Sequence, residues 1–286
     1  MIESILRFEF LQNAFGSGVI IGIIAPLLGV FIVVRRLSLI SDALSHVTLS
    51  GIAFSLLLGK YIPFFYTLNP LYMGIAFSVT GALFIEKLRT VYKQYQDLAV
   101  PIILSAGIGM GAIFISLADG FNRDLMGYLF GSVSAVTRSD LWTIVGISVL
   151  VLVVVIGLYK ELFLLSFDEE HAKASGIPAK AVHFIFIVLV ALVIAASMRI
   201  VGILLVSALI TLPVAASIRI AKGFKQTIFY SILFGEISVL GGLTLSYYLD
   251  IAPGGTIVMI AVLILLLTIG LKKLAWKLTT SKTNPR

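Results

Sequence analysis

The chain has 286 residues, of which 59% are hydrophobic and 12% charged, against roughly half and a quarter in an average soluble domain; this excludes an ordinary soluble globular protein and points to an integral membrane protein. With no cysteine, disulfides and thiolate ligands are excluded, and any metal site must use nitrogen and oxygen donors. The net charge of +7 invites a nucleic-acid reading, but in a membrane chain basic residues mark the cytoplasmic ends of helices.

Residues 1–13, with Glu3, Arg7 and Glu9 among Ile5, Leu6, Phe8 and Phe10, read as an amphipathic helix lying at the interface. Apolar spans follow over 14–34, 38–58, 69–87, 97–118, 139–158, 180–198, 200–218, 227–248 and 254–272. Each is close to the ~20 residues that cross about 30 Å of hydrocarbon, and the apolar runs are continuous rather than alternating, so they predict helices and not barrel strands. The first block is too long for a signal peptide and ends at Arg35 and Arg36, so it is read as a retained span.

The expected fold is therefore all-α, a polytopic bundle of nine transmembrane helices. The count becomes eight or ten if "DLMGYLFGSVSAV" (124–136) re-enters the membrane or Pro213 ends a span early. No inter-span segment is long enough for a soluble domain, so 1–286 reads as one transmembrane domain with a disordered tail over 279–286. If Arg35 and Arg36 face the cytoplasm, all but five of the 21 basic residues (Arg7, Lys60, Arg123, Arg138 and Arg199) fall on that side. The rule that positive loops stay inside then places the N-terminus outside and the C-terminus inside.

The second span opens "SDALSHVTLSG" (41–51). Asp42 and His46, four apart, share one helical face. A helix beginning near Leu37 puts His46 about 15 Å in, near the midplane. A carboxylate at such depth costs on the order of 3 kcal/mol and should face the bundle interior or a watery path. Two readings follow: Asp42 caps the helix while His46 bonds a neighbouring helix, or the pair is a station for a divalent metal. Imidazole and carboxylate are the ligand types shared by zinc, manganese and iron. Two ligands make a weak site, and a two-fold dimer with this helix at its axis would supply four. Ser41, Ser45, Thr48 and Ser50 add polarity around the pair.

Other ionisable groups are few. His171 falls in a loop and His183 at a helix entrance, and both are read as solvated or interfacial. Glu236, mid-span in "FGEISVLGG", is a further candidate, either as a second polar station or as a partner holding helices together. Arg199 reads as an interface anchor.

After the fifth span, "SFDEEHAKASGIP" (166–178) predicts a short capped helix of two to three turns: Ser166 as N-cap, Glu169 three residues on, acids in the first turn, and Gly176 and Pro178 as terminators. There is no G-x-x-x-x-G-K-[ST] loop, no H-E-x-x-H and no G-x-S-x-G, so neither an ATPase nor an intramembrane hydrolase is indicated. A rival from another class is a proton-driven secondary transporter using Asp42, His46 and Glu236 as a relay.

Taken together, "VVRRLSLISDALSHVTLSGIAF", "DLMGYLFGSVSAVTRSDL", "SFDEEHAKASGIPAKAV", "MRIVGILLVSALITLPVAASIRIA" and "LSYYLDIAPGGTIV" resemble, in the same order, the permease subunits of bacterial metal-ion ABC importers, the zinc, manganese and iron group. "DLMGYLFGSVSAVT" is most similar to the zinc-importer branch, with the manganese branch next. The resemblance implies a type II ABC importer-like permease in the bacterial cytoplasmic membrane that moves zinc, or alternatively manganese or iron, by alternating access. It implies a homodimer, two cytoplasmic ATPase subunits and an extracytoplasmic metal-binding protein, with no permanently bound cofactor. Asp42 and His46 match the family's Asp and His on the second helix. The 168–176 helix becomes a coupling helix that docks on the ATPase, with Asp168, Glu169, Ala172 and Gly176 as its candidate residues.

Overall fold

A computed structural model of the chain describes residues 7–118, 120 and 123–282. Its first two long helices are α1 (Glu9–Val34) and α2 (Leu39–Gly59), followed by the short α3 (Pro63–Thr67), then α4 (Pro70–Val91) and α5 (Ala99–Leu117). The eight-residue α6 (Arg123–Phe130) precedes α7 (Arg138–Gly157). Two short helices, α8 (Tyr159–Phe167) and α9 (Glu169–Ala174), lead into α10 (Ala179–Val201), α11 (Ile203–Ile220), α12 (Phe224–Leu249) and α13 (Pro253–Lys282). Among the described residues there is no strand. In lipid, a helix satisfies its own backbone polar groups without a partner.

Eight of these helices are long and apolar enough to cross a membrane: α1, α2, α4, α5, α7, α10, α12 and α13. In α11 the apolar stretch, Leu205–Ile220, is shorter, and Pro213 lies inside the helix without ending it. The re-entrant candidate 124–136 forms α6 and a loop. Residues 9–13 of the expected interfacial helix already belong to α1, and 1–6 lie outside the described residues. The tail expected to be disordered from Thr279 is helical to Lys282, and 283–286 lie outside the described residues.

Two chain reversals set the geometry of the site. At the end of α1, Arg36 adopts left-handed φ (+57°). Its N–H and that of Leu37 bond the carbonyls of Val33 and Ile32, the pattern that closes a helix on itself. The next helix therefore starts at Leu39, two residues later than its sequence suggests. At the other end of the bundle, Gly202 (φ +83°) joins α10 to α11 in a single residue. A Cβ there would stand 2.5 Å from the Gly131 nitrogen, and one on Gly131 (φ +80°) would stand 2.1 Å from the Ile200 carbonyl oxygen, so only glycine fits this backbone crossing.

The core centres on α1, α10 and α11, where Phe31, Phe186, Ile194 and Leu209 are fully or almost fully buried. At the end of the bundle carrying Arg35, here termed the basic end, α8 is held by an aromatic cluster. The Phe224 ring lies within 5.0 to 6.4 Å of Phe31, Tyr159, Phe163 and Phe167. Beyond area burial, each such pair adds about 1 kcal/mol.

Candidate functional site

Helix α2 is gripped on two sides. Gly107 of α5 sits so close that a Cβ would come within 2.9 Å of the Val47 nitrogen, and Gly51 lies equally tightly against Met73 and Phe77 of α4. The hydroxyls around the expected site are consumed locally: Ser41, Ser45 and Thr48 donate to the carbonyls of Ser38, Ser41 and Leu44 at 2.6 to 2.8 Å. Ser50 donates to His46 O and, at 2.6 Å, to Gly107 O. They are buried helix-packing residues, and their donors are satisfied by backbone rather than pointed at a ligand.

Within 41–50, only Asp42 and His46 are half-exposed, while every other residue of that stretch is buried. The pair therefore occupies the one face of this turn that the chain leaves uncovered. Asp42 lines a cavity of about 450 Å³ between the start of α2 and the middle of α11, with Ser38, Ser207, Thr211 and Ala215 among its walls. His46 lies about 10 Å along α2 from Leu39, one turn further along the helix than Asp42.

Glu236 is not brought to this pair. It lies on α12 against α1, where a Cβ on Gly22 would meet its Oε1 at 2.7 Å, and that oxygen is buried without a hydrogen-bond partner. Among the described residues, no group of three or more His, Asp or Glu side chains is placed to hold a metal ion.

The short helix is built differently from its expected form. Helix α8 runs through Phe167 and Ser166 bonds back to Leu162 O (2.6 Å), so Ser166 is not the cap. Asp168 caps α9, its Oδ1 accepting from the His171 N–H at 2.8 Å. The helix spans six residues, under two turns. It closes at Gly176 (φ +82°), with the Gly176 and Ile177 N–H groups bonded to Lys173 O and Ala172 O. Ala172 is fully buried and anchors α9 to the bundle, whereas Glu169, Glu170, His171 and Lys173 are exposed. Glu169 pairs with Lys173 at 2.7 Å, and that hydrogen bond holds its carboxyl below the usual carboxylate range. His171 is solvated as expected.

Two ionic clusters depart from the sequence reading. Arg199 is not a simple interface anchor: its Nη1 donates to Oδ1 and Oδ2 of Asp140 at 3.0 and 2.8 Å. Asp140 also accepts from Asn69 Nδ2 (2.6 Å) and from Thr137 Oγ1 and N (2.6 and 2.8 Å). Thr137 and Asp140 form a capping box on α7, a T-x-x-D signal that was present in the sequence. His183, expected to be solvated or interfacial, is 7% exposed. Both its ring nitrogens face guanidinium groups, Arg35 Nη2 at 2.7 Å from Nδ1 and Arg89 Nη1 at Nε2. The cause is convergence of α1, α4 and α10 at the basic end.

Known proteins resemble this chain along nearly its whole length. The profile of the ABC 3 transport family matches residues 7–272. The manganese transport system membrane protein MntC of Halalkalibacterium halodurans is 32% identical over 260 residues, covering 91% of this chain and 86% of that protein. The manganese import system permease protein ScaB of Streptococcus gordonii is 34% identical over 267 residues, 93% of each chain. Among solved structures, PsaBC from Streptococcus pneumoniae in complex with Fab superposes with a TM-score of 0.80 at 33% identity, covering 93% of each chain.

Proposed function

The chain belongs to the ABC 3 transport family and is a multi-pass membrane permease of a metal-ion ABC importer, a transport subunit rather than an enzyme; on that premise we propose that it passes manganese(II) across the cytoplasmic membrane, with Asp42 and His46 as the ion's transient ligands. One observation carries this reading. The carboxylate and the imidazole stand one turn apart on the only uncovered face of their helix turn, and the carboxylate lines a cavity. Left against lipid, the charge would cost on the order of 3 kcal/mol; facing a second copy or an aqueous conduit, it becomes a cation site.

One chain supplies two ligands. A second copy related by a two-fold axis along α2 completes a set of two Asp and two His, weak enough in each half for the ion to leave. The basic end is the cytoplasmic end, following the excess of Lys and Arg there, so α13 ends inside. The ATPase partner that the family implies engages the exposed face of α9, and the aromatic cluster around Phe224 carries its closure from α8 into α1. A binding protein on the opposite side delivers the ion.

Manganese is read first because MntC and ScaB are named for it and because a carboxylate oxygen suits a hard cation. Zinc, favoured by the sequence resemblance, is the second reading, since imidazole and carboxylate serve it equally. Reconstituted with its ATPase and binding protein in liposomes, the permease is expected to accumulate radiolabelled manganese on ATP addition, with zinc accumulating more slowly. Faster zinc uptake reverses the assignment.

A further inference from the structure

At the basic end, the C-cap of α1, the last turn of α4, the first turns of α10 and the exposed side of α9 enclose a cavity of about 320 Å³. Its inner wall is His183 flanked by Arg35 and Arg89. A neutral imidazole has one lone pair and an imidazolium none, so two guanidinium groups facing the two ring nitrogens cannot both be accepted in any protonation state. The second terminal nitrogen of Arg35, Nη1, is buried without a partner. Burial first and the nearby Arg89 second hold the Arg35 guanidinium below its ordinary pKa, against the opposing pull of Glu169 and Glu86.

The carboxylates present do not make up the shortfall. Glu86, which lines the cavity, lies 3.9 Å from Arg89 Nη1 and 3.4 Å from His183 Nε2, beyond good hydrogen-bonding range, and its Oε2 is itself buried without a partner. Glu169 is committed to Lys173, so two carboxylates stand against the five cationic side chains Arg35, Arg89, Lys93, Lys173 and Lys180 of the lining. Lys93 and Lys180 line the same cavity. A transported divalent cation would be repelled here, which separates this cavity from the Asp42 station. An oxyanion with several acceptor oxygens would satisfy the stranded donors, and planar guanidinium pairs match phosphate geometry.

We propose that this cavity is a binding site for a phosphate-bearing anion, held by Arg35 and Arg89 and rimmed by Lys93 and Lys180. Two sources share that chemistry, an anionic lipid headgroup and free inorganic phosphate; basic pockets between spans at the cytoplasmic leaflet suit the former, which rests on the proposed orientation of the chain. Because Lys173 and Glu169 of α9 belong to the wall, the anion ties the proposed coupling helix to α1, α4 and α10.

The test uses the full-length permease purified in detergent, where binding is read without reference to membrane orientation or to transport, so its failure leaves the transport assignment standing. Native mass spectrometry measures retention of phosphatidylglycerol against phosphatidylcholine, and thermal unfolding compares sodium phosphate with sodium chloride at equal ionic strength. The variants are Arg35→Gln with Arg89→Gln and, at the exposed rim, Lys93→Gln with Lys180→Gln, with exposed Lys87→Gln as control. Wild type and K87Q should retain phosphatidylglycerol, with about fivefold weaker binding for each rim charge removed. Stabilisation by phosphate without lipid retention, lost in the variants, assigns free phosphate as the source. Neither signal in the wild type, or signals unchanged in the rim variant, overturns the site, and the rim variant decides if the arginine variant does not fold.

Discussion

Arg199, in the last turn of α10, donates at 2.8 Å to Asp140, a carboxylate with no exposed surface on the first turn of α7. The pair clamps two spans 59 residues apart in sequence at the end of the bundle opposite the basic end, and Asn69 at the start of α4 joins the same carboxylate. Removing one partner of a buried ion pair costs about 3–5 kcal/mol, whereas replacing both is far milder. Arg199→Met should therefore lower the unfolding temperature in detergent sharply, and adding Asp140→Asn should restore part of the loss. Equal stability of the single variant and the wild type would mean that Asn69 and Thr137 alone satisfy the carboxylate.

Replacing His46 with Ala, or Asp42 with Asn, should leave expression and assembly intact, because both side chains are half-exposed and neither is a packing residue. Metal uptake in liposomes should fall by more than the roughly 10- to 100-fold that outer-shell changes at metal sites cost. Uptake at the wild-type rate in H46A removes the imidazole from the path.

Glu236→Gln distinguishes a second ion station from a packing acid. The carboxyl lies against Gly22 of α1 and away from the Asp42 cavity, so the isosteric amide is expected to keep uptake within about twofold while stability is unchanged or higher, since an acid with one buried, unpaired oxygen is replaced by a neutral group. A loss comparable to that of H46A would move Glu236 into the path.

Gly131→Ala should abolish the folded yield or lower the unfolding temperature strongly, because its Cβ would overlap the Ile200 carbonyl and the φ of +80° adds strain. Gly109→Ala, on the same scale of chemistry but with nothing within 4 Å of the new Cβ, should stabilise or leave unchanged. Thermal unfolding of the two variants side by side checks both.

On α9, Glu169→Arg replaces an attractive i,i+4 pair with Lys173 by a like-charge one and reverses the sign of an exposed surface. The permease should still fold, since Ala172 supplies the anchor, while co-purification of the ATPase falls. An unchanged yield of the complex argues that α9 is a connector.

The spans were readable from residues alone because lipid imposes a length and a polarity that each helix meets by itself; predicted and observed limits agree to within a few residues except at α1 and α13, whose helices run beyond their apolar cores. Asp42 and His46 stood out for the same reason, an i,i+4 pair of ionisable groups where the surroundings are apolar. Caps are partly visible: the box of Thr137 and Asp140 lies in plain view, whereas the sequence points to Ser166 for the cap that Asp168 provides, because only the continuation of α8 decides which residue begins the next helix. The partners of Asp140 and His183 were beyond reach, since Arg199, Arg35 and Arg89 lie 59, 148 and 94 residues away. Local pattern records which face of a helix is polar; which two polar faces meet is settled only when α1, α4 and α10 are packed together, because that choice depends on the shapes of all three at once.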